Sequence, residues 1–358
     1  MPLTADVTVV GAGVIGLCTA ASLARQGISV LLVGKQQYGE ASPAAAGMLA
    51  PSVERAAGPA HNFAIAARDI YPHWLAQLSD ETGIAVPLNR LGVLQVALSD
   101  KGVKGLRRAA LPSTEWLNQD DLRRIEPALG HAIGAVLNPD DGAVDNVALL
   151  GALSKFASMS RQITRIDGRV TALASNAGRQ SLRLESGEML DTGRVVLAPG
   201  AWGAALADSA RCLRSVVPSR GQLVSFGPIG VRHVVYGPRG YLVPREQSLL
   251  IAGSTMENAG FDATTTPEGI ARVRSAAEEI APALATATVT STWAGLRPVT
   301  PDMLPLLGPD PENSSLIYAC GHSRNGILLA PLTGEVVASL VAGAPMSHDL
   351  SQFRPERF

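Results

Sequence analysis

Apolar positions along the first part of the chain change their period twice within about thirty residues. Residues 6–10 are a short, largely apolar, β-branched run, the pattern of a strand buried on both faces. The glycine turn Gly11-Ala12-Gly13-Val14-Ile15-Gly16 follows, then an Ala- and Leu-rich stretch that is predicted to be helical to about residue 26. Gly27 is placed to stop that helix. Residues 28–33 return to an apolar, strand-like run. Together they predict one strand–helix–strand unit with parallel strands.

Beyond it the periodicity predicts helices over 61–82, 116–125, 146–159, 267–280 and 327–341, and strands over 91–98, 170–173, 182–185, 194–198 and 316–319. Gly187 reads as a turn between two of these strands. Residues 214–260 break into short β-rich pieces separated by Gly and Pro, which predicts an antiparallel sheet. No internal repeat or low-complexity tail appears. The expected fold is α/β, with a Rossmann-like nucleotide domain and a substrate domain built on a mostly antiparallel sheet, the two discontinuous in sequence.

Composition narrows the function classes. The 358 residues, 46% of them hydrophobic, suffice for a large core and two lobes. A net charge of −1 gives no electrostatic reason to bind nucleic acid or an acidic membrane surface. Cys18, Cys212 and Cys320 are an odd, widely spaced set, so neither disulfides nor a metal site is expected. This cysteine usage suits the cytoplasm. No signal peptide is read at the start, and Gly, Pro or charge interrupts the apolar stretches, so no transmembrane segment is expected.

In its strand–turn–helix setting, Gly11-x-Gly13-x-x-Gly16 has a mechanical reading. Gly11 permits the tight turn, Gly13 lets a pyrophosphate approach the backbone, and Gly16 lets helix and sheet pack closely. The helix N-terminus offers free N–H groups to the phosphates. An acidic residue ordinarily ends the second strand and accepts the ribose hydroxyls. Here Gly34 stands in that place, followed by Lys35. Loss of the acceptor costs about 1.5–3 kcal/mol of cofactor affinity unless Glu40, a carbonyl or water replaces it. Lys35 also raises an NADP reading, which the remaining motifs oppose.

Those motifs are Ser42-Pro43-Ala44-Ala45-Ala46-Gly47-Met48, Arg169-Val170-Thr171-Ala172-Leu173, the segment 195–202 ending Gly200-Ala201-Trp202, Gly240-Tyr241-Leu242-Val243-Pro244-Arg245, Trp293-Ala294-Gly295-Leu296-Arg297-Pro298, and Cys320-Gly321-His322-Ser323-Arg324-Asn325-Gly326. In this order, over most of the chain, they resemble the glycine oxidase and thiamine-pathway oxidase branch of the D-amino-acid oxidase family. The resemblance implies non-covalent FAD and a small amino-acid substrate. It also implies O2 as acceptor with hydrogen peroxide as product, and a homo-oligomer, dimer or tetramer.

By the same resemblance FAD contacts fall on Gly11, Gly13, Val14, Ile15, Gly16, Gly34 and Lys35. Others fall on Ala41, Ser42, Ala46, Gly47, Met48, Val170, Gly200 and Trp202. The last group is His322, Ser323, Arg324, Asn325, Gly326, Ile327 and Leu328. The implied FAD-binding domain takes 1–85, 145–212 and 298–358; the substrate domain takes 86–144 and 213–297.

Oxidation of an amino acid removes a hydride equivalent from Cα, and the flavin carries that chemistry while the protein positions the carbon. Arg297 is expected to clamp the substrate carboxylate with its planar fork, with Tyr241 donating its hydroxyl to the same group. The resemblance implies that Met48 lines the substrate with a soft apolar wall. The resemblance also implies that Arg324 lies beside flavin and substrate, acting through its carbonyl or its cation. No His or Glu is evident as a base; His322 is expected to touch flavin or order its turn. The helix beginning near Asn325-Gly326 would place its N–H groups where negative charge develops on reduced flavin. Arg239, two positions before Tyr241, raises the prospect of a longer or more acidic substrate. A dehydrogenase using a quinone or other carrier, or a flavin-binding relic, remain the competing readings.

Overall fold

The computed structural model describes residues 3–176, 178–246 and 249–358. Its first sheet grows from the opening unit. Strand Leu3–Val10 lies between Val30–Gly34 and Met189–Leu197, parallel to both. Ile163–Asp167 and Leu316–Cys320 extend the parallel set on the two sides. The hairpin Val170–Asn176/Arg179–Leu184 pairs antiparallel with Met189–Leu197, and Leu306–Pro309 pairs antiparallel with Leu316–Cys320.

Parallel strands must be covered on both faces, which is why their sequences read as solid apolar runs. Helices Val14–Arg25, Asn146–Met159 and Gly326–Ala342 cover one face, burying Leu17, Leu23, Leu153, Leu328 and Val337. Segments around Leu206, Leu213 and Val216 pack against the other. Residues 323–342 are long and apolar enough, by length and composition alone, to cross a membrane. In the fold that helix packs against Val14–Arg25 and Pro59–Asp69 and carries Pro331 inside it, so its apolar surface is spent on the core.

The second sheet runs in the order Val289–Val299, Val217–Phe226, Leu249–Gly253, Tyr241–Arg245, Val234–Tyr236, Val93–Ala97, Gly134–Asn138, Glu115–Asn118. Its neighbours are antiparallel except Val234–Tyr236 with Val93–Ala97. Helix Pro267–Ile280 packs Val273, Ala277 and Ile280 onto it. A small sheet of Met48–Leu49, Gly142–Val144 and Leu88–Asn89 holds the small-residue loop in place. The architecture is the expected α/β one, a Rossmann-like sheet beside a mostly antiparallel one.

Three local expectations change. The helix expected over 61–82 is two, Pro59–Asp69 and Tyr71–Thr82. Pro72 has no N–H to continue the first, and it fits the opening turn of the second. The helix expected from Trp116 begins only at Gln119, because the Asn118 side chain caps it by accepting from the N–H groups of Asp120 and Asp121. Trp116 is instead in a strand, opposite Val136. Helix Asp100–Ala109 was not anticipated. It has no fully buried residue, and its apolar face is only Val103 and Leu106, both half-buried, too short a stripe to stand out among the charged positions; Ser99 caps it.

Candidate active site

The carboxyl ends of Leu3–Val10, Val30–Gly34, Met189–Leu197 and Leu316–Cys320 open onto one cavity of about 530 Å³. Open parallel sheets place their ligands at that end. The cavity runs from the glycine turn past residues 34–42 and 168–170 to Arg297 and residues 321–327.

The first end is made of backbone. Gly11 has φ +109°, and a Cβ there would lie 2.1 Å from the Ala198 carbonyl oxygen. A Cβ on Gly16 would lie 1.8 Å from the Gly11 oxygen, so Gly16 secures helix-to-turn packing and does not itself line the cavity. Gly13 precedes helix Val14–Arg25 without a side-chain cap, and the Val14 N–H donates to Ser42 Oγ at 3.1 Å. The helix N–H groups beyond Val14, beside a glycine that leaves the approach open, fit a pyrophosphate.

At Gly34 a Cβ would sit 2.5 Å from the Ala12 methyl and 2.8 Å from the Ala12 nitrogen. The turn therefore fills the space from which an acidic side chain would start. Lys35 is paired with Glu185 at 2.6 Å in an exposed position, so it offers no uncommitted cation for a 2′-phosphate. Arg169 donates to Gln37, and Glu40 accepts from the Gln37 N–H at 2.8 Å. Val170, Gly200 and Trp202 complete this part of the wall.

The small-residue loop forms a rigid floor. Asn146 donates to the carbonyls of Ser42 and Pro43, Trp293 to Ala44, and Arg245 to Ala46, Val144 and the Asn146 side chain. Gly47, at φ +70°, lets the chain turn where a Cβ would lie 2.0 Å from the Val144 oxygen. Ala41, Ala46, Gly47 and Met48 all line the cavity. Arg245, half-buried among these carbonyls, was seen in the sequence only as the end of the tyrosine strand.

The far end is made of side chains. Arg297 Nη1 donates to the Thr255 carbonyl at 3.1 Å and Nη2 to Ser254 Oγ at 2.6 Å. Two of the five guanidinium donors are thus used to aim the fork, leaving the others for a ligand. Gly221, on the adjacent strand, makes the room, since a Cβ there would lie 2.1 Å from Arg297 Nη1. Tyr241 projects from the neighbouring strand across Gly253, where a Cβ would lie 2.4 Å from the phenol oxygen. Burial raises the Tyr241 pKa, opposed chiefly by the nearby Arg297 cation, so the phenol stays protonated and able to donate.

Ser323, Arg324, Asn325, Gly326 and Ile327 line the opposite wall, where the long C-terminal helix begins. Leu328, one position further, is 2% exposed in the core and does not face the cavity. His322 is buried and bonded to Thr333 Oγ1 at 3.2 Å. Burial drives its pKa down to about 3, so it is neutral and orders the turn. Burial also raises the Cys320 thiol well above its ordinary range, which leaves it un-ionised. Arg239 lines the cavity beside Pro238 and Gly240, with its guanidinium bonded to Glu279 at 2.6 Å and to Ser275 on helix Pro267–Ile280. Its charge is matched there.

One charged group at this end was missed. Glu54 lies in the cavity wall with its side chain 11% exposed, 2.8 Å from Arg324 Nε. Tyr236 donates weakly to its other oxygen at 3.4 Å. Glu54 stands six residues beyond Met48, outside every motif, and only the turn of residues 50–54 brings it inward. No spacing rule marks it.

A parallel sheet with a phosphate turn, joined to a cavity that ends in a fixed guanidinium, is the arrangement of an enzyme that holds a dinucleotide cofactor beside an anionic substrate. Residues 6–340 match the family described as FAD dependent oxidoreductase, and the chain belongs to that family. Within it the chain is of the glycine oxidase and ThiO type. It is 32% identical to the glycine oxidase of Bacillus licheniformis over 98% of this chain and 97% of that one. It is 35% identical to the Synechocystis bifunctional protein ThiO/ThiG over its whole length, and spans 55% of that longer protein. Among solved structures, glycine oxidase from Geobacillus kaustophilus matches with a TM-score of 0.92 and 31% identity, covering 99% of both chains.

Proposed function

We propose that the protein catalyses FAD-dependent oxidative deamination of a small amino acid or amine, such as glycine, sarcosine or a small D-amino acid, with O2 reduced to hydrogen peroxide. The observation that carries this reading is Arg297, held by Ser254 and Thr255 at the end of a cavity that begins at the phosphate turn. A guanidinium so aimed binds a carboxylate bidentately and fixes the substrate's face. Tyr241, kept protonated, donates to the same carboxylate. Met48, Tyr236 and Tyr241 wall the remaining space, which favours a short side chain. When bound, FAD supplies the two-electron acceptor for the substrate's Cα–H and passes the electrons on to O2. The likeness to glycine oxidases over nearly full length supports the substrate class.

The test is a peroxide-coupled screen of small amino acids and amines on the yellow holoenzyme. Peroxide formation, with anaerobic bleaching of the flavin by the same substrate, is expected. Bleaching without rapid reoxidation in air would assign a dehydrogenase, and no bleaching by any amine or amino acid would defeat the proposal.

A further inference from the structure

Glu54 is the one carboxylate among the described residues lining the substrate end of the cavity, and it is held there deliberately. Ser52 donates twice to Asp141, through its N–H at 3.1 Å and its hydroxyl at 2.9 Å. Asp141 is bonded in turn to Arg68 at 2.8 Å, both side chains being buried. The N–H groups of Val53 and Glu54 close onto the Ala50 carbonyl at 3.1 and 3.0 Å. A buried ion pair thus fixes the turn that carries Glu54 inward.

A buried carboxylate is costly unless its acceptor sites are filled. Glu54 has Arg324 on one oxygen and a long contact from Tyr236 on the other. An ionised carboxylate offers about four acceptor positions, so capacity remains on a group that lines the cavity. The charged and titratable groups facing it are Arg324, Arg297, Tyr236 and Tyr241. An amino acid seated with its carboxylate on Arg297 presents its ammonium one carbon away, with three donors and no other anion lining that end.

We propose that Glu54 receives the substrate's amino group, holding the incoming ammonium and taking one proton from it. The step is balanced: one N–H bond breaks and its electron pair stays on nitrogen as the lone pair, while an O–H bond forms on Glu54. The carboxyl later returns the proton to solvent past the half-exposed Arg324. The amine is then neutral, as loss of hydride from Cα requires. Burial raises the Glu54 pKa, with Arg324 the main opposing influence, which brings the carboxylate closer to the pH at which it must act as a base.

This inference rests on the amino-acid reading above, and the experiment separates the two. Wild type, E54Q and E54D are prepared as holoenzymes and mixed anaerobically with the best substrate among glycine, sarcosine and D-alanine. Flavin bleaching is followed across pH, and glycolate, which has the carboxylate but no amine, is bound as a probe through the flavin spectrum. E54Q retains an acceptor for Arg324. Its bleaching near neutral pH should fall about 100-fold, and its apparent pKa should move up toward the ordinary amine range. The amino acid should bind about tenfold more weakly while glycolate binds at least as well as before. E54D should keep the wild-type pH limb at a reduced rate. If the wild type itself is not bleached, the amino-acid reading fails and this inference with it. If the wild type is bleached and E54Q shares its rate and pH profile, only the role of Glu54 is overturned. Loss of glycolate and amino acid in equal measure, or loss of FAD from both variants, would make Glu54 a structural partner of Arg324 and overturn it as well.

Discussion

The two ends of the cavity are built from different materials. At the phosphate end the working groups are backbone N–H and carbonyl, and the sequence requirement is for side chains to be absent, at Gly11, Gly13, Gly16 and Gly34. At the substrate end the working groups are side chains, each aimed by a second residue: Arg297 by Ser254 and Thr255, Glu54 by the turn that Asp141 and Arg68 hold. A surface built of backbone tolerates changes in neighbouring side chains but not an added Cβ. A surface built of side chains should respond to their loss and to any shift in their supports.

The largest effect is expected at the side-chain end. Arg297→Ala should lower kcat/KM for the best amino acid about a thousandfold, near 4 kcal/mol, because the carboxylate loses its charge-assisted bidentate partner. Arg297→Lys should recover only part, since an ammonium lacks the planar fork. FAD content should be unchanged in both. Steady-state kinetics with the flavin spectrum as control checks this. Loss of FAD in step with activity would show that the ends are not separable.

Gly221→Ala should come next. The added methyl would meet the guanidinium at 2.1 Å, and a flexible arginine can move aside, so the fold should survive. Displacement of the fork should raise KM roughly 10- to 100-fold, as misplacement of about an ångström does elsewhere. An unchanged KM together with an unchanged melting temperature would mean that the guanidinium's seat is looser than its bonds to Ser254 and Thr255 imply.

The same contrast explains what was legible in the sequence. The opening unit, the glycine turn and the parallel strands could be read because each imposes a local pattern: a solid apolar run, a required glycine, a change of period. Arg297 and Tyr241 were placed through motif resemblance, and they do share the far end of one cavity. Glu54, Gly221 and Arg245 could not be read, because what defines them is contact across tens or hundreds of residues. Gly221 is a mid-strand glycine whose reason, the Arg297 guanidinium, lies on another strand. Arg245 matters through carbonyls of residues 46 and 144. The surface helix Asp100–Ala109 escaped for the opposite reason, having little to bury.

At the backbone end the departure at Gly34 supplies a sharper test. Restoring the carboxylate with Gly34→Glu adds a ribose acceptor, a gain of about 1.5–3 kcal/mol. It also forces a Cβ to within 2.5 Å of the Ala12 methyl and 2.8 Å of its nitrogen, an overpacking cost of about 1–3 kcal/mol. The two nearly cancel, so FAD affinity by titration of the apoprotein should change by less than about tenfold. Ala12→Gly combined with Gly34→Glu should bind FAD more tightly than Gly34→Glu alone. A single variant that gained the full benefit would show that the Ala12 contact is not what excludes an acid.

The smallest effect is expected at Lys35. Its ammonium is paired with Glu185 on the surface, where solvent and salt screen the attraction and two flexible side chains must be ordered to make it. Lys35→Ala removes no backbone donor and adds no Cβ where a glycine is required. FAD dissociation should therefore change by less than about threefold, with the melting temperature unmoved. Salt dependence makes the comparison discriminating. If the lysine drew the cofactor's phosphates directly, wild-type affinity would fall with rising ionic strength and the variant would lose that slope. If backbone N–H groups do the work, the two salt profiles should run parallel.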